Sequence, residues 1–287
     1  MSEAERGIIP STAVSPPARG RLLPLGLEAV PWWALVLLLA GLLITFGIST
    51  SQVYKDTLAF LWSGVALTLR LSVSAYALAL VFGLVAGLMR ISKQPVLYTV
   101  STLYVEVIRG VPLLVLLIYI AFVAAPLVSE ASAALLTRAG LPSAATFVRG
   151  MVRSDMNRAI LGLAVGYGAY LAEIYRAGIE SIPKGQMEAA RSLGMTYWQS
   201  MRHIVLPQAI RVVLPPLGND FIAMLKDSAL ASAIAVPELT QTGRLLTART
   251  FRALQTYNMV ALLYLTMTLV GSLGVRALER WAAKGKH

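Results

Sequence analysis

Residues Glu188–Pro207 read EAARSLGMTYWQSMRHIVLP, a polar stretch between two strongly apolar regions of the chain. Apolar side chains recur at helical spacing on both sides of Gly194, which predicts two short helices that meet at this glycine. Thr196 followed by Gln199 is typical of a capping box and predicts that the second helix begins just after Gly194, while Pro207 is predicted to end it. Such an element on the water side of a membrane suits docking into a groove on a soluble partner. An amphipathic loop at the membrane interface is the alternative.

The overall composition indicates a membrane protein. Hydrophobic residues make up 57% of the 287 residues and charged residues 14%, and the mean hydropathy is +0.69. This is more apolar than ordinary soluble domains, so the lipid bilayer is the expected solvent.

The net charge of +11 would suggest a nucleic-acid partner in a soluble protein. Here the cations lie mostly between apolar runs, so membrane orientation is the simpler cause and no nucleic-acid partner is expected. With no cysteine and two histidines, thiolate chemistry is excluded and a histidine-rich metal site is not expected. No catalytic residues are predicted, since no span holds a paired nucleophile and base or a cluster of metal ligands.

The apolar runs predict an all-α polytopic membrane protein with about six transmembrane helices. Residues 1–30 lack periodicity and are predicted to form a flexible tail, and 31–62 an additional N-terminal transmembrane helix with an external loop. The first apolar run also resembles a cleaved signal peptide, but the long preceding tail and the lack of a clear small-x-small site favour a retained helix. The predicted spans are about Trp32–Ile48, Ser63–Met89, Val96–Ala125, Arg158–Ala177, Ile210–Val236 and Thr256–Leu278.

Positive charge predicts how these helices are oriented. An even number of spans places both termini on one side, which carries fourteen of the 25 Lys and Arg residues; eight lie on the other side and three inside spans. Because cytoplasmic segments are enriched in Lys and Arg, both termini and Glu188–Pro207 are predicted to be cytoplasmic. The external segment 126–157 contains Leu135, Leu136 and Arg138 and is predicted to form short amphipathic helices. Its arginines either meet an acidic external partner or are simply solvated.

Arg109 lies near the middle of the span Val96–Ala125. An arginine at mid-bilayer costs roughly 2.5–3.5 kcal/mol on insertion scales, so it requires a partner or a function. Gly110 and Pro112 weaken the helix just after it, which leaves backbone groups free to line a cavity. The guanidinium is suited to hold a carboxylate through two parallel hydrogen bonds. An internal ion pair with Glu106, on the same helix face, is the alternative.

The fourth and fifth spans also carry polar residues. Glu173 is spaced to pair with Arg176 on its own helix, which is the favoured interpretation, or it faces a cavity and meets a substrate ammonium. Asn219 and Lys226 lie two turns apart on one face of the fifth span, where they either line a pathway or join helices. No G-x-x-x-x-G-K-[ST] loop occurs in the sequence. If ATP powers this protein, another chain must therefore bind it.

The stretch that begins with Glu-Ala-Ala resembles the cytoplasmic EAA loop of ATP-binding cassette (ABC) importer permeases. In that family the loop is the coupling helix, which fits a cleft in a separate ATP-hydrolysing subunit. Gly194 is expected to matter because a side chain there could block the close turn between the two short helices. The resemblance implies an ATPase contact made by Glu188, Ala189, Ala190, Gly194, Leu206 and Pro207.

Three further elements look like the branch of these permeases that imports polar amino acids such as histidine, glutamine, glutamate and arginine. They are Arg-Gly-x-Pro-Leu at 109–113, Ala-Tyr-x-Ala-Glu-Ile-x-Arg at 169–176, and Asn219 with Lys-Asp-Ser at 226–228. The similarity covers about 63–280. The branch often has Thr where Val111 stands and Lys-Asp-Thr-Ser-Leu where this chain has Lys-Asp-Ser-Ala-Leu, so the particular amino acid stays open. The resemblance implies that the substrate is contacted by Arg109, Glu173, Asn219 and Lys226.

The resemblance to that branch implies a type I, MetI-like permease fold. The permease domain would occupy 63–280, with the coupling loop at 181–207 and a cytoplasmic tail at 281–287. The chain would be a transport subunit of the bacterial inner membrane and not an enzyme, and it would hold no cofactor, since ATP and Mg belong to the partner ATPase. The implied partners are a dimer of cytoplasmic ATP-binding subunits, a second identical or homologous permease and an extracytoplasmic amino-acid-binding protein. A permease for another small polar solute, an ATP-independent secondary transporter, and a membrane scaffold or receptor component are the alternatives.

Overall fold

The computed structural model describes residues 51–283 continuously and isolated positions between 35 and 50. The chain divides into two units, Met1–Thr50 and Ser51–His287, and the description below concerns the second. The predicted tail at 1–30, most of the span Trp32–Ile48 and residues 284–287 lie outside the described residues. Within the described part all regular structure is helical, which confirms the all-α class.

The helices are numbered here in chain order. They are α1 (Gln52–Arg90), α2 (Pro95–Gly110), α3 (Leu113–Tyr119), α4 (Ala125–Arg138), α5 (Pro142–Met151), α6 (Asp155–Glu180), α7 (Lys184–Ser192), α8 (Tyr197–Ser200), α9 (Leu206–Asp227), α10 (Leu239–Thr250) and α11 (Ala253–Ala283). One π-helical turn, Ile120–Ala124, joins α3 to α4, and another, Met201–Val205, joins α8 to α9. A 3-10 helix, Ser228–Ile234, follows α9.

Among the described residues, three helices are long and apolar enough to cross a membrane. They are Gln52–Arg90, Leu113–Arg138 and Ala253–Arg280. The predicted spans Arg158–Ala177 and Ile210–Val236 also fall on helices, α6 and the α9 region. The chain is therefore a polytopic helical membrane protein, and the number of crossings stays a prediction.

Helix α1 begins earlier than the sequence analysis placed it. It starts at Gln52 and not near Ser63, so the C-terminal part of the predicted external loop is helical. Lys55 and Asp56 lower the local hydropathy, but neither residue breaks a helix as Gly or Pro would. The side-chain amide nitrogen of Gln52, Nε2, donates a hydrogen bond to Asp56 Oδ1 at 2.8 Å, one turn along the helix. The predicted span was too short because hydropathy marks the apolar part of a helix and does not show where the helix begins.

The predicted weak point after Arg109 is confirmed. Helix α2 ends at Gly110, Val111 is extended (φ −105°, ψ 136°), and α3 resumes at Leu113. The helical run then continues through the π-helical turn to Arg138, past the predicted end of the span at Ala125. Pro126 lies in the first turn of α4, directly after this wider turn, in which the N–H of Ala125 donates to Ile120 O, five residues back; the wider turn relieves the conflict between proline and the preceding helix.

Short helices in the external segment 126–157 are also confirmed. All of α4 except its first residue, and all of α5, lie in this segment. Arg149 Nε on α5 is 3.1 Å from Glu130 Oε2 on α4, so at least this arginine has an internal partner. Both side chains are about half exposed or more, and such a pair contributes little to stability.

The core is organised by the close, parallel packing of α1 against α6. Gly83 on α1 lies next to Gly168 and Leu171 on α6, and Gly87 lies next to Ala172. Small residues at such a crossing allow two backbones to approach closely in a membrane. The contact brings the C-terminal end of α1 to the C-terminal half of α6, where the polar residues described below lie.

Replacing Gly83 with alanine is expected to destabilise the protein. The new Cβ would lie 2.5 Å from Leu171 Cβ, so α1 and α6 would have to separate, at a cost of about 1–3 kcal/mol. Gly274→Ala is the matched control, since it is also helical and its Cβ would have no neighbour within 4 Å. The thermal midpoint of each detergent-solubilised variant measures the effect. Equal midpoints for the two variants would contradict the close packing.

Glu238 is a fully buried carboxylate that the sequence analysis did not identify. It precedes α10 and accepts hydrogen bonds from the backbone N–H groups of Thr240 (2.9 Å) and Gln241 (2.8 Å). The hydroxyl of Tyr264 on α11 also donates to it, at 2.6 Å. Because these donors satisfy the buried acid, its role is to cap α10 and join it to α11.

Candidate functional site

The coupling segment, residues 184–207, contains the predicted junction of two short helices at Gly194. Helix α7 ends in a Schellman motif: the N–H of Met195 donates to Ala190 O at 3.2 Å, and the N–H of Gly194 donates to Arg191 O at 3.0 Å. Gly194 has φ +84°, a left-handed conformation in which glycine has no steric penalty. The two-helix prediction is confirmed, but for another reason than the one expected. A Cβ at Gly194 would meet no heavy atom within 4 Å, so the backbone angle and not crowding requires glycine.

The capping box at the start of α8 is confirmed. The N–H of Gln199 donates to Thr196 Oγ1 at 3.3 Å, and the N–H of Thr196 donates to Gln199 Oε1 at 2.8 Å. These two bonds satisfy backbone donors that the first turn of a helix leaves without partners. The beginning of the second helix of the coupling segment is therefore set by its own sequence.

The prediction that Pro207 ends this helix is wrong. The chain remains helical from α8 through the π-helical turn Met201–Val205 into α9, and Pro207 lies in the first turn of α9. A proline within a regular α-helix removes a hydrogen bond and clashes with the preceding turn. Here the turn before it is wider, since the N–H of Leu206 donates to Met201 O, five residues back. The coupling segment is thus directly continuous with a helix of the bundle.

The coupling segment has an exposed apolar surface. Leu193 is 84% exposed and Trp198 77%, and side chains of this size mark an interaction surface when they lie close together. Of the predicted contact residues, Glu188, Ala189, Leu206 and Pro207 are exposed. Ala190 is only 4% exposed, so its side chain packs inside the chain. The sequence analysis counted Leu193 only as part of the helical pattern and did not use Trp198, although large apolar side chains in a polar segment are a usable signal.

Arg109 does not form the alternative ion pair with Glu106. Its guanidinium carbon lies 5.4 Å from the ring centroid of Tyr170 on α6, a cation–π contact. The carboxylate of Glu106 is instead 3.0 Å from Arg90 Nη2, on α1. Arg109 is exposed at the break between α2 and α3, and within residues 51–283 its N–H groups make no hydrogen bond. Its donors are therefore available to a ligand.

The internal pair between Glu173 and Arg176 is confirmed. Arg176 Nε donates to both oxygens of Glu173 at 3.2 Å, and the same guanidinium also contacts Glu180. Arg90 Nη1 approaches Glu173 Oε2 at 3.3 Å, within ion-pair distance but without hydrogen-bond geometry. Glu173 is thus held by two cations, one of which, Arg90, comes from another helix and was missed by the sequence analysis.

We call Arg90, Glu106, Arg109, Tyr170, Glu173 and Arg176 the polar cluster. It joins α1, α2 and α6 through alternating charges, and its arginines attract the Glu173 carboxylate electrostatically. The ion pairs satisfy the acids, whereas Arg109 keeps unused donors. A carboxylate-bearing ligand at this cluster would meet Arg109 without displacing an internal acid.

Asn219 and Lys226 lie on α9 and are both exposed. Within the described part of the chain neither side chain makes a hydrogen bond or an ion pair, so the structure does not join them to the polar cluster. The neighbour of Lys226 behaves differently: Asp227 accepts a hydrogen bond from the hydroxyl of Tyr167 at 2.7 Å. Adjacent residues on a helix point to different faces, and here the acid faces the core while the lysine does not.

An all-helical membrane bundle with a polar cluster and an exposed helix–Gly–helix segment is the architecture of a membrane transport permease. The chain belongs to the family of binding-protein-dependent transport system inner membrane components, whose model matches residues 79–284. This match covers most of the described residues, including the coupling segment and the polar cluster.

Relatives with an assigned transport role cover the same region. The chain is 37% identical over 225 residues to a probable glutamine ABC transporter permease protein of Bacillus subtilis (strain 168), covering 78% of this chain and 94% of that protein. It is 38% identical over 217 residues to a glutamine transport system permease protein of Escherichia coli (strain K12), covering 76% and 90%. An arginine transport system permease protein of Corynebacterium glutamicum is 32% identical over 219 residues, covering 76% of this chain and 66% of that one.

Solved structures agree in fold. A chain of an amino acid ABC transporter crystallised with histidines is 36% identical and has a TM-score of 0.66, covering 79% of this chain and 95% of that chain. An inward-facing methionine ABC transporter has a TM-score of 0.61 at 21% identity, covering 81% and 99%. The predicted MetI-like permease fold is therefore confirmed.

Proposed function

We propose that this chain is the membrane-spanning subunit of an ATP-driven importer that carries polar amino acids into the cell. The observation that carries the proposal is the exposed coupling segment, continuous with a helix of the bundle, in a chain of the permease family. The substrate class is supported by relatives at 32% to 38% identity that are assigned to glutamine and to arginine. Because those two amino acids differ in charge, the particular amino acid does not follow from the resemblance.

The coupling segment is proposed to dock on a separate cytoplasmic ATPase dimer, which binds ATP and Mg. Leu193, which is 84% exposed, supplies the apolar contact, and the exposed residues Glu188 and Ala189 of α7 supply further contacts. When ATP closes the ATPase subunits, the force would reach α9 directly, because no loop interrupts the helix between Trp198 and α9. The same proposal places both chain termini in the cytoplasm of a bacterium, and adds a second permease chain and an external binding protein.

Arg109 is proposed to hold the α-carboxylate of the substrate. It has free donors, lies at a break in the helix and stacks on Tyr170. Glu173, Asn219 and Lys226 remain proposed contacts for the ammonium or the side chain. For Glu173 this requires that the substrate ammonium compete with Arg176 and Arg90, whereas Asn219 and Lys226 have no internal partner among the described residues. Asn219 is accordingly the simpler contact for a polar side chain.

Purification of the intact complex tests the proposal. A tagged copy of this chain should copurify with an ATP-hydrolysing chain, and the ATPase rate in proteoliposomes with the binding protein should rise when glutamine, glutamate, histidine or arginine is added. If no nucleotide-binding chain copurifies and the chain still transports amino acids, it is a secondary transporter. If an ATPase copurifies but only a different solute stimulates it, the ABC permease assignment stands and the substrate class is wrong.

A further inference from the structure

An apolar groove lies where the coupling segment meets the helix bundle. Its volume is about 550 Å³, within the range of roughly 300–1,000 Å³ typical of ligand sites. The walls come from α1, α6, α8 and α9. Its lining includes Leu84, Leu88, Ile179, Trp198, Ile210 and Val213. A groove of this kind between membrane helices is suited to a flexible hydrocarbon chain.

A charged pocket adjoins this groove. The pocket has a volume of about 720 Å³, and five of its lining residues also line the groove. The charged side chains along it are Glu180, Lys184, Glu188 and Arg191. An apolar groove that continues into a charged pocket matches an amphiphile with one hydrocarbon end and one charged end.

The charges in the pocket favour an anionic group. Glu180 is already paired with Arg176. Lys184, Glu188 and Arg191 lie on one face of α7, and within residues 51–283 none of them has an ion-pair partner. Glu188 lies one turn from both Lys184 and Arg191, so the three side chains together carry one net positive charge. Basic pockets between membrane helices bind the head groups of anionic lipids.

Two aromatic residues mark the position of the groove relative to the bilayer. The rings of Tyr197 and Trp198 lie 6.1 Å apart at its edge, and their side chains are 54% and 77% exposed. Tyr and Trp are enriched at the interface between membrane and water. The apolar groove would then face the acyl chains of one leaflet, and the charged pocket would lie at the level of the head groups.

We propose that the groove and pocket bind one anionic phospholipid, with an acyl chain against Leu84 and Leu88 and the phosphate beside Lys184. The lipid would come from the leaflet next to the coupling segment. A singly negative head group such as phosphatidylglycerol balances the net positive pocket, whereas zwitterionic phosphatidylcholine does not. Bound there, the lipid contacts α1, α6, α7 and α9 together and supports the coupling segment from the membrane side.

Lipid retention by the purified full chain with its copurifying partners tests the proposal. We expect native mass spectrometry to detect phosphatidylglycerol held in preference to phosphatidylcholine of the same acyl chains. Lys184→Gln should weaken retention about fivefold, since one cation near the head group is lost, and Leu84→Trp should reduce it by filling the groove. The matched controls are Lys93→Gln, outside the pocket, and Leu69→Trp, at a site of similar exposure (39% against 42%). Equal retention by all four variants, or equal binding of the two lipids, overturns the proposal.

Crosslinking of the unmodified chain identifies the occupant independently of these variants. Phosphatidylglycerol with a photoreactive acyl chain, incorporated in nanodiscs, is expected to label peptides that contain Leu84, Leu88 or Ile210. A benzophenone attached to a single cysteine at position 88, in a chain that has no other cysteine, should then react with lipid. Reaction with residues 1–50 or with a second copy overturns the lipid assignment. Displacement of the lipid by millimolar glycerol phosphate would show a site for a free anion, and this outcome would also overturn the lipid assignment.

Discussion

Replacing Gly194 with valine is expected to abolish most ATP-driven uptake while the permease still folds. Gly194 has φ +84°, where a residue with a Cβ costs roughly 1–2 kcal/mol and a β-branched residue is a clear outlier. Relief of this strain would change the angle between α7 and α8, so that the exposed Leu193, next to this glycine, would change its position relative to α8. Uptake in proteoliposomes should fall by about tenfold or more, since this is the change in an equilibrium that such an energy produces.

Gly194→Asn is the matched control for this experiment. Asparagine is tolerated at the left-handed position that ends a helix, and a Cβ at 194 has open space around it. The asparagine variant should therefore keep most of the uptake. The amount of ATPase that copurifies separates loss of docking from loss of folding. If the valine variant transports as well as the asparagine variant, the conformation at Gly194 does not serve coupling.

Local signals predicted the coupling segment well because its geometry is fixed by neighbouring residues. Thr196 and Gln199 form the capping box that their spacing indicated, and Gly194 ends α7. The error at Pro207 has a physical cause: proline ends a regular helix, but the π-helical turn before α9 removes the conflict. A wider turn of this kind has no clear sequence signature, so the continuity between α8 and α9 could not be predicted.

The polar cluster was predicted only in part because it depends on contacts between helices. The pair of Glu173 and Arg176 follows from helical spacing and is present. Arg90 was counted only as a cation in a turn, although it bridges Glu106 and Glu173. That role follows from the close packing of α1 on α6 at Gly83. The spacing of Gly83 and Gly87, four residues apart, is visible in the sequence, but the helix that packs against them is not.

Replacing Arg109 with alanine is expected to remove most amino-acid-dependent transport with the complex still assembled. Its guanidinium contacts Tyr170 and no internal acid, so its loss leaves no buried carboxylate without a partner. Hydrogen bonds to charged groups contribute about 1.5–3 kcal/mol each. The substrate concentration at half-maximal ATPase stimulation should therefore rise by about tenfold to a hundredfold. The ATPase rate measured against amino-acid concentration checks this.

Two further variants distinguish a substrate contact from a structural role. Arg109→Lys keeps the charge but cannot form two parallel hydrogen bonds to a carboxylate, so its half-maximal concentration should lie between those of the wild type and the alanine variant. Glu106→Gln removes the acid that would be the partner of Arg109 in the structural alternative. Because that acid is paired with Arg90, this variant should keep the wild-type dependence on amino acid. A glutamine variant as defective as Arg109→Ala, or an alanine variant with wild-type kinetics, would show that Arg109 is not the carboxylate contact.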